Sequence, residues 1–283
     1  VSNPPIFTIA RILARLGIES KAITSRELVR FIEAGEPARL EAIFRKIFHD
    51  APQTGCDPDR DLVDKSVLEI GCGRNGGLAP FMMRQNAKHY IGIDPMVNQE
   101  ILRSDAVMKA LERRYFSPGT NDPADAVTLR KRYETRCQFR QGANADSEVR
   151  SNSLDMITSI SCLEHIDDLE SEIASFSETL KPGGCHIHLV NFSNHLDKEK
   201  PFHWIYELDP EAFKHSHGDI INLKRPSDVK SLFEKLEFET TLTPIDIRPD
   251  AVPTNTLHPW WKEHYGIAEL GIRTAVLHAV KKP

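Results

Sequence analysis

From residue 66 onward, short apolar runs alternate with longer amphipathic or polar stretches, and this alternation constrains the fold more than any other feature. Apolar runs of this length are typical of β-strands, and the stretches between them are long enough for crossover helices. Strands that alternate with helices form doubly wound, mostly parallel sheets, so the predicted fold class is α/β. We expect strands over residues 67–70, 89–93, 138–141, 154–160, 186–190, 239–247 and 274–280, and helices that include 169–180 and 227–236.

The first sixty residues have the periodicity of helices instead. Apolar side chains recur at helical spacing over residues 6–16 and 40–47, and Thr24 and Glu27 have the spacing of a capping box. Residues 52–61 are polar and contain Pro, Gly and Asp, which is typical of a linker. We therefore predict three parts: an N-terminal helical cap over 1–60, a core over 61–190, and a C-terminal part over 191–283 that adds acceptor-side insertions and completes the sheet.

Charge and cysteine content exclude several classes of protein. Acidic residues outnumber basic ones by 41 to 36, which gives a formal net charge of −5, so we expect no broad nucleic-acid surface. No window approaches about 18 consecutive apolar residues, which predicts no membrane span. Residues 1–14 lack the basic-then-apolar order of a signal peptide, and the five cysteines are widely scattered. These patterns predict a cytoplasmic protein with free thiols.

A glycine-rich segment follows the first predicted strand and carries the strongest chemical signal. Gly71, Gly73 and Gly76 match the G-x-G-x-x-G pattern, in which glycines let a nucleotide approach the main chain at the start of a helix. Asp94 ends the second predicted strand about twenty residues further on, where an acid that binds a ribose is expected. These features favour an adenosine-containing cofactor, and leave open NAD, another such cofactor, or a tight turn without a ligand.

Three further motifs accompany the glycine loop: Glu69 two residues before the first glycine, the segment 155–165, and Leu-Lys-Pro-Gly-Gly at 180–184. Together, over about residues 66–190, these motifs resemble those of the class I S-adenosylmethionine-dependent methyltransferases. The resemblance implies a Rossmann-like, seven-stranded sheet whose last strand is antiparallel, a place that residues 274–280 fit. It also implies S-adenosylmethionine as the cofactor and S-adenosylhomocysteine as its product.

The same resemblance implies a set of cofactor contacts. The loop glycines would pass beneath the methionine part of the cofactor, Glu69 would orient its amino end, and Asp94 would bind the ribose. The chain departs from the family pattern at Asn75, where a third glycine is usual, and at Ala143, where many relatives carry an acid. The implied cofactor-binding residues are Glu69, Gly71, Cys72, Gly73, Asn75, Asp94, Pro95, Ala143, Asn144, Ser161 and Cys162.

Three histidines are candidates for catalysis at the acceptor. His165 lies just past the fourth predicted strand, at the end where open α/β sheets bind ligands. His188 lies in the fifth strand, and His195 follows it in a polar segment. Methyl transfer to oxygen needs a group that accepts a proton near neutral pH, and histidine is the usual one. A structural role for His165 and a solvated loop for residues 188–195 stay open as alternatives.

No metal site is predicted. His188, Asn191, Asn194, His195 and His203 cluster in the sequence, but their spacing fits no standard zinc signature. Aromatic side chains in the C-terminal part could stack on a sugar or an aromatic acceptor, or pack in the core; they are Trp204, Tyr206, Trp260 and Trp261.

The C-terminal third has a second, weaker resemblance, carried by short matches at residues 188–195, 203–204, 221–227, 236–238 and 282–283. These matches are similar to methyltransferases of bacterial glycan and polysaccharide biosynthesis. We therefore predict O-methylation of a small molecule or of a sugar or glycan hydroxyl, with no nucleic-acid or membrane partner. The N-terminal helices would cover the cofactor cleft or form a homo-oligomer contact. The alternatives are N- or C-methylation of a small metabolite, an NAD(P)-dependent oxidoreductase, and a non-catalytic binding protein.

Overall fold

The computed structural model describes residues 23–55, 57–116, 125–142, 149–195, 197 and 199–282. The helix predicted over residues 6–16 lies outside the described residues, and so do Ala143 and Asn144. No helix within the described ranges is long and apolar enough to cross a membrane.

Within these residues, seven strands form one sheet. In chain order they are β1 (Ser66–Ile70), β2 (His89–Ile93), β3 (Cys137–Arg140), β4 (Leu154–Ile160), β5 (Leu180–Asn191), β6 (Phe238–Ile247) and β7 (Ile272–Lys281). Their spatial order is β3-β2-β1-β4-β5-β7-β6. Strands β1 to β5 are parallel, and β7 is antiparallel to both of its neighbours. The predicted Rossmann-like sheet, mostly parallel with an antiparallel last strand, is confirmed.

Helices flank the sheet and connect its strands. In chain order they are α1 (Ser25–Glu33), α2 (Glu36–Asp50), α3 (Pro58–Asp61), α4 (Ala79–Arg84), α5 (Gln99–Leu102), α6 (Asp105–Arg114), α7 (Ala126–Arg136), α8 (Leu169–Thr179), α9 (Pro210–His217), α10 (Pro226–Lys235), α11 (Pro259–His264) and α12 (Ile267–Leu270). Single 3₁₀ turns occur at Pro52–Thr54, Leu163–His165 and Pro249–Ala251.

The central strands are buried on both faces, which explains why their sequences are continuous apolar runs rather than alternating ones. All five residues of β1 are buried. Val67 packs in the apolar layer that includes side chains of α1, α2 and α4. Leu68 and Ile70 point to the other side of the sheet, into the layer that includes α8 and α10. This period of two places Glu69 on the same face as Val67.

The start of α1 confirms the predicted capping box. The Thr24 hydroxyl accepts a hydrogen bond from the Glu27 main-chain N–H at 3.2 Å, and the Glu27 carboxylate accepts one from the Thr24 N–H at 2.8 Å. Leu28 and Ile32 are the buried face of this helix. They pack in the same layer as Val107 and Leu111 of α6, so the predicted helical segment before the linker is attached to the core.

The Leu-Lys-Pro-Gly-Gly segment lies within a strand that begins earlier than predicted. Helix α8 ends at Thr179, and β5 begins at Leu180 instead of His186. Leu180 pairs with Leu154, and the next pair joins Cys185 to Met156, so residues 181–184 bulge out of the ladder. The Leu180 side chain is fully buried, and its burial explains why the chain resumes sheet pairing before the glycines.

Strand β7 lies between β5 and β6 and pairs with both. Cys185 to Asn191 of β5 pair with Val280 to Thr274, and β6 pairs with β7 from Phe238 to Ile247. A smaller apolar cluster beside the sheet includes Phe202, Tyr206, Phe213 and Trp261. Trp261 and Tyr206 are fully buried there, so core packing is the alternative that the structure shows for these two; Trp260 is partly buried against the same cluster, and Trp204 is 40% exposed.

Candidate active site

Two glycines give the turn after β1 its shape. Gly71 has a φ of +75°, and a Cβ atom on it would lie 2.4 Å from the Cys162 sulfur. Gly77 has a φ of +54°, and a Cβ atom there would lie 2.5 Å from a Glu69 carboxylate oxygen. Both positions therefore require glycine for conformation and for space. The result is that the loop after β1 packs directly against the end of β4.

Glu69 fixes this loop from inside the protein. Its carboxylate accepts hydrogen bonds from the Leu78 main-chain N–H at 2.8 Å and from the Tyr90 hydroxyl. Burial raises the pKa of Glu69 to about 7, although both hydrogen bonds act in the opposite direction. The carboxylate thus holds the start of the helix that follows the loop, and this positions the glycines.

Asp94 joins the ends of β1 and β2. One carboxylate oxygen accepts a hydrogen bond from the Gly73 N–H at 2.9 Å, and the other accepts one from the Met96 N–H at 2.8 Å. Burial raises its pKa above the ordinary value, against these two hydrogen bonds. Each oxygen has a second lone pair, which can accept a hydrogen bond from a ribose hydroxyl.

The remaining predicted cofactor residues contribute mainly backbone. Cys72 and Cys162 are buried thiols. Ser161 has a φ of +49°, and its main-chain N–H donates to the Leu189 carbonyl at 2.8 Å. The carbonyl of Pro95 accepts a hydrogen bond from the Gln141 side chain. The Asn75 side chain accepts one from the Gly77 N–H at 3.3 Å, so it folds back on the loop in which a third glycine is usual.

These residues meet at the place where open α/β sheets bind nucleotides. The chain leaves β1 toward β2 and β3 on one side of the sheet, and β4 and β5 lie on the other side. A crevice opens at such a switch point, outside the carboxyl ends of the strands. The glycine loop, which has no room for side chains at Gly71 or Gly77, and the carboxylate of Asp94 provide the cradle and the acid that an adenosine cofactor needs. The residues present therefore fit S-adenosylmethionine.

A cluster of three titratable side chains lies next to this crevice: Glu164, His165 and His195. The 3₁₀ turn that carries Glu164 and His165 begins directly after Cys162, and the His165 N–H donates to the Cys162 carbonyl at 2.9 Å. His195 arrives from the segment after β5, with a left-handed φ of +59°. The His165 and His195 rings have centroids 4.7 Å apart, so the structure brings together two of the three histidines predicted for catalysis.

Burial controls the protonation of this cluster. It raises the pKa of Glu164 to about 8, against main-chain N–H groups of Glu164 and Asn191 that lower it. Burial lowers the pKa of His165. Burial, followed by the neighbouring His165, lowers the pKa of His195 to about 4. Both rings are therefore neutral at pH 7, which leaves a ring nitrogen of each available as a lone-pair donor.

His188 lies elsewhere, inside the sheet. Its side chain is fully buried, and its ring contacts the Ser159 hydroxyl at 2.8 Å and a nitrogen of His186 at 3.0 Å. His186 in turn contacts Ser177, whose hydroxyl donates to the Ile173 carbonyl. The expectation that His188 meets an acceptor does not agree with this enclosure, because residue 188 points into the core rather than out of the strand end. Burial alone lowers its pKa to about 3.

Asn222 is a site residue that sequence reasoning missed. Its side-chain amide donates to the carbonyls of Leu163 and Ile166, and its main-chain N–H donates to the Glu164 carbonyl, all at 2.8 to 3.0 Å. The nearby Ile220 carbonyl lies 2.8 Å from Nδ1 of His165. The segment around residue 222 thus holds the 3₁₀ turn from the opposite side. No local motif signals this role, because the two segments are more than fifty residues apart.

Comparison with known proteins also indicates a methyltransferase. The profile of a family described as methyltransferase domain matches residues 38–243. The mitochondrial ubiquinone biosynthesis O-methyltransferase of Rattus norvegicus is 27% identical over 132 residues, which cover 46% of this chain and 32% of that protein. The Homo sapiens protein of the same name is 27% identical over 128 residues, covering 45% and 29%. The chain therefore matches about a third of the length of these curated relatives.

The structural likeness is broader and shows the fold. Phosphoethanolamine N-methyltransferase 2 of Haemonchus contortus, solved in complex with S-adenosyl-L-methionine, superposes with a TM-score of 0.52 at 15% identity. The match covers 98% of this chain and 61% of that one.

Proposed function

The chain belongs to the class I S-adenosylmethionine-dependent methyltransferases, and from this premise we propose that it methylates a hydroxyl oxygen of a small molecule or a sugar. The profile match covers the glycine loop, the carboxylates of Glu69 and Asp94 that hold this loop, and the Glu164–His165–His195 cluster. Membership in this family favours a methyltransferase over the oxidoreductase that the glycine loop alone left open. The acceptor class is the part of the proposal that goes beyond the family.

The observation that carries the proposal is the position of the Glu164–His165–His195 cluster. Cys162, just after β4, packs against Gly71 of the glycine loop, and the turn that carries Glu164 and His165 begins directly after it. A group that removes a proton from an acceptor must lie within hydrogen-bond reach of it. Nitrogen acceptors that are already neutral do not need such a group, whereas a hydroxyl does. The names of the curated relatives, which are O-methyltransferases, agree with this choice.

Bound S-adenosylmethionine supplies an electrophilic methyl group on a sulfonium, so the protein's task is to position and deprotonate the acceptor. The acceptor oxygen must lie about 3–3.5 Å from the methyl carbon and in line with the carbon–sulfur bond. The glycine loop and Asp94 would hold the cofactor, which would supply the methyl group and leave as S-adenosylhomocysteine, and a neutral ring of the cluster would take up the hydroxyl proton of the acceptor. His195, whose side chain is 26% exposed, is the member that solvent and acceptor can reach.

The first experiment measures thermal stabilisation of the purified chain by S-adenosylhomocysteine, NAD and NADP, because a ligand of the native state raises the Tm. We expect a shift with S-adenosylhomocysteine alone. A screen of hydroxylated small molecules and sugars would then follow the release of S-adenosylhomocysteine. The H165A/H195A variant should lose turnover and keep the shift. Stabilisation by a nicotinamide nucleotide alone, or full turnover in the double variant, would contradict the proposal.

A further inference from the structure

The carboxylate of Glu164 is buried, and the main-chain N–H groups of Glu164 and Asn191 that lower its pKa do not form hydrogen bonds of normal geometry with it. Its side chain is 4% exposed, and neither of its oxygens accepts a hydrogen bond of normal geometry from any residue that the structure describes. Nε2 of His195 lies 3.5 Å from Oε1. A buried carboxylate normally has several donors around it, or a metal ion. Glu164 thus carries unused acceptor capacity at a point enclosed by protein.

Two imidazole nitrogens face the same point. The ligand atoms of Glu164, His165 and His195 all lie within 4.8 Å of one another. Two atoms that bind one ion at about 2.1 Å lie roughly 3.4 Å apart in tetrahedral geometry, which is close to the 3.5 Å between His195 and Glu164.

A second contact prepares His165 for coordination. Its Nδ1 lies 2.8 Å from the Ile220 carbonyl oxygen, which can only accept, so Nδ1 carries the hydrogen and donates it. In a neutral ring the other nitrogen, Nε2, then has a free lone pair. Histidines that bind metals usually donate their second ring nitrogen to a carbonyl or carboxylate in this way, which fixes tautomer and orientation.

We propose that Glu164, His165 and His195 bind a divalent transition-metal ion. Two imidazoles and one carboxylate suit Zn²⁺, Mn²⁺, Fe²⁺ or Co²⁺, whereas Mg²⁺ and Ca²⁺ favour sites built from oxygen alone. Three protein ligands leave coordination positions open, as in catalytic rather than structural sites. This proposal departs from the expectation of no metal site, which rested on spacing along the chain and compared only residues between 188 and 203.

The open positions give the metal a role, and that role rests on the proposed methyl transfer to oxygen. An acceptor hydroxyl that binds the ion would have its pKa lowered, so that its proton could leave to water at neutral pH. The ion would then fix the acceptor oxygen beside the cofactor crevice, and the ring nitrogens would act as ligands instead of proton acceptors. The metal-binding claim itself needs neither cofactor nor acceptor.

The competing explanation for these atoms is a hydrogen bond between the carboxyl group of Glu164 and the neutral ring of His195, with no ion between them. That arrangement predicts no affinity for metals. It also predicts that removing His165 leaves the other two residues paired, whereas a metal site needs all three side chains.

The test titrates the full-length, metal-stripped chain with Co²⁺, followed by its visible absorption, and with Zn²⁺ by calorimetry. We expect one site per chain, with a Co²⁺ spectrum of mixed nitrogen and oxygen ligation. E164Q, H165Q and H195Q should each weaken binding by at least about tenfold, the loss that even outer-shell partners of metals produce. H203Q and E207Q are the matched controls, because His203 and Glu207 also form a histidine–carboxylate pair, at 3.2 Å, and no third ligand joins them among the residues that the structure describes.

Binding that is absent in the wild-type chain, or equal in wild type, E164Q and H195Q, would overturn the metal site. If the buried E164Q variant fails to fold, H195Q decides, because His195 is partly exposed in a segment outside the sheet. Stabilisation by S-adenosylhomocysteine is measured on the same samples. A chain that binds Co²⁺ at these residues without binding S-adenosylhomocysteine refutes the proposed methyl transfer and supports the metal site, and the reverse result refutes the metal site alone.

Discussion

Gly71 lies so close to Cys162 that a Cβ atom at position 71 would come within 2.4 Å of the Cys162 sulfur. The contact joins the turn after β1 to the end of β4, on the two sides of the crevice in which nucleotides bind to such sheets. Any side chain on Gly71 must therefore move one wall of the cofactor site relative to the other.

Replacing Gly71 with alanine should lower both stability and cofactor binding. The left-handed φ of +75° alone costs about 1–2 kcal/mol for a residue with a Cβ atom, and the overlap with Cys162 adds to it. We expect a lower Tm and a smaller shift with S-adenosylhomocysteine. G266A is the control, since nothing lies within 4 Å of a Cβ atom at Gly266 and its φ is −75°. A G71A chain with wild-type affinity would contradict the tight contact.

Replacing Asp94 with asparagine should weaken cofactor binding more than it changes the fold. The asparagine amide cannot accept the N–H of both Gly73 and Met96, and it offers less to a ribose hydroxyl. A loss of about 1–3 kcal/mol corresponds to roughly tenfold to hundredfold weaker binding of S-adenosylhomocysteine. D209N is the matched control: Asp209 also accepts a main-chain N–H, from Ala212, but it caps α9. Calorimetry with both variants checks the difference.

Acid should destabilise the wild-type chain more than H188Q. The folded protein keeps the His188 ring neutral, since burial lowers its pKa to about 3, whereas the unfolded chain protonates it near pH 6.5. The unfolded state thus binds more protons between these values, and stability falls by about 1.4 kcal/mol per pH unit for this ring as pH decreases. Glutamine does not titrate, so this contribution is missing in H188Q.

Denaturant unfolding of both chains at pH values between 7.5 and about 4 gives the free energy of unfolding as a function of pH. The slopes of these two curves are then compared. Their difference removes the opposite contribution of buried carboxyls such as Glu69, which both chains share. Equal slopes for wild type and H188Q would contradict this prediction, because they would mean that the ring takes up protons in the folded protein as readily as in the unfolded chain.

Removing the donors of Asn222 should slow methyl transfer without preventing cofactor binding. Its amide holds the Leu163 and Ile166 carbonyls on both sides of the turn that carries Glu164 and His165. N222A and the nearly isosteric N222D both remove those donors, so we expect similar losses: about 1–3 kcal/mol of stability and a reduced kcat. The S-adenosylhomocysteine shift should persist. If N222D behaves like wild type while N222A does not, shape rather than hydrogen bonding holds the turn.

Patterns that depend on neighbours in the sequence were predictable. The alternation of strands and helices, the capping box at Thr24, and the placement of Asp94 at the end of β2 all follow from local periodicity or from a spacing of known structural meaning. Their physical basis is short-range: side-chain period, backbone donors at a helix start, and the tight turn that glycine permits.

Features that depend on tertiary pairing could not be read in the same way. Glu164 and His195 are 31 positions apart, and they meet because β4 and β5 are adjacent and parallel. The same adjacency encloses His188, which the sequence had made a candidate for catalysis at the acceptor. The early start of β5 at Leu180 reflects a bulge that only the partner strand defines.

The position of β7 has a consequence for the order in which the chain can fold. β6 precedes β7 in sequence, yet among the described strands it pairs with the sheet only through β7, which inserts beside β5. During synthesis, the edge of β5 that pairs with β7 therefore stays unpaired until β7 has left the ribosome. Until then two strands present unpaired backbone, the condition under which edge-to-edge association competes with folding.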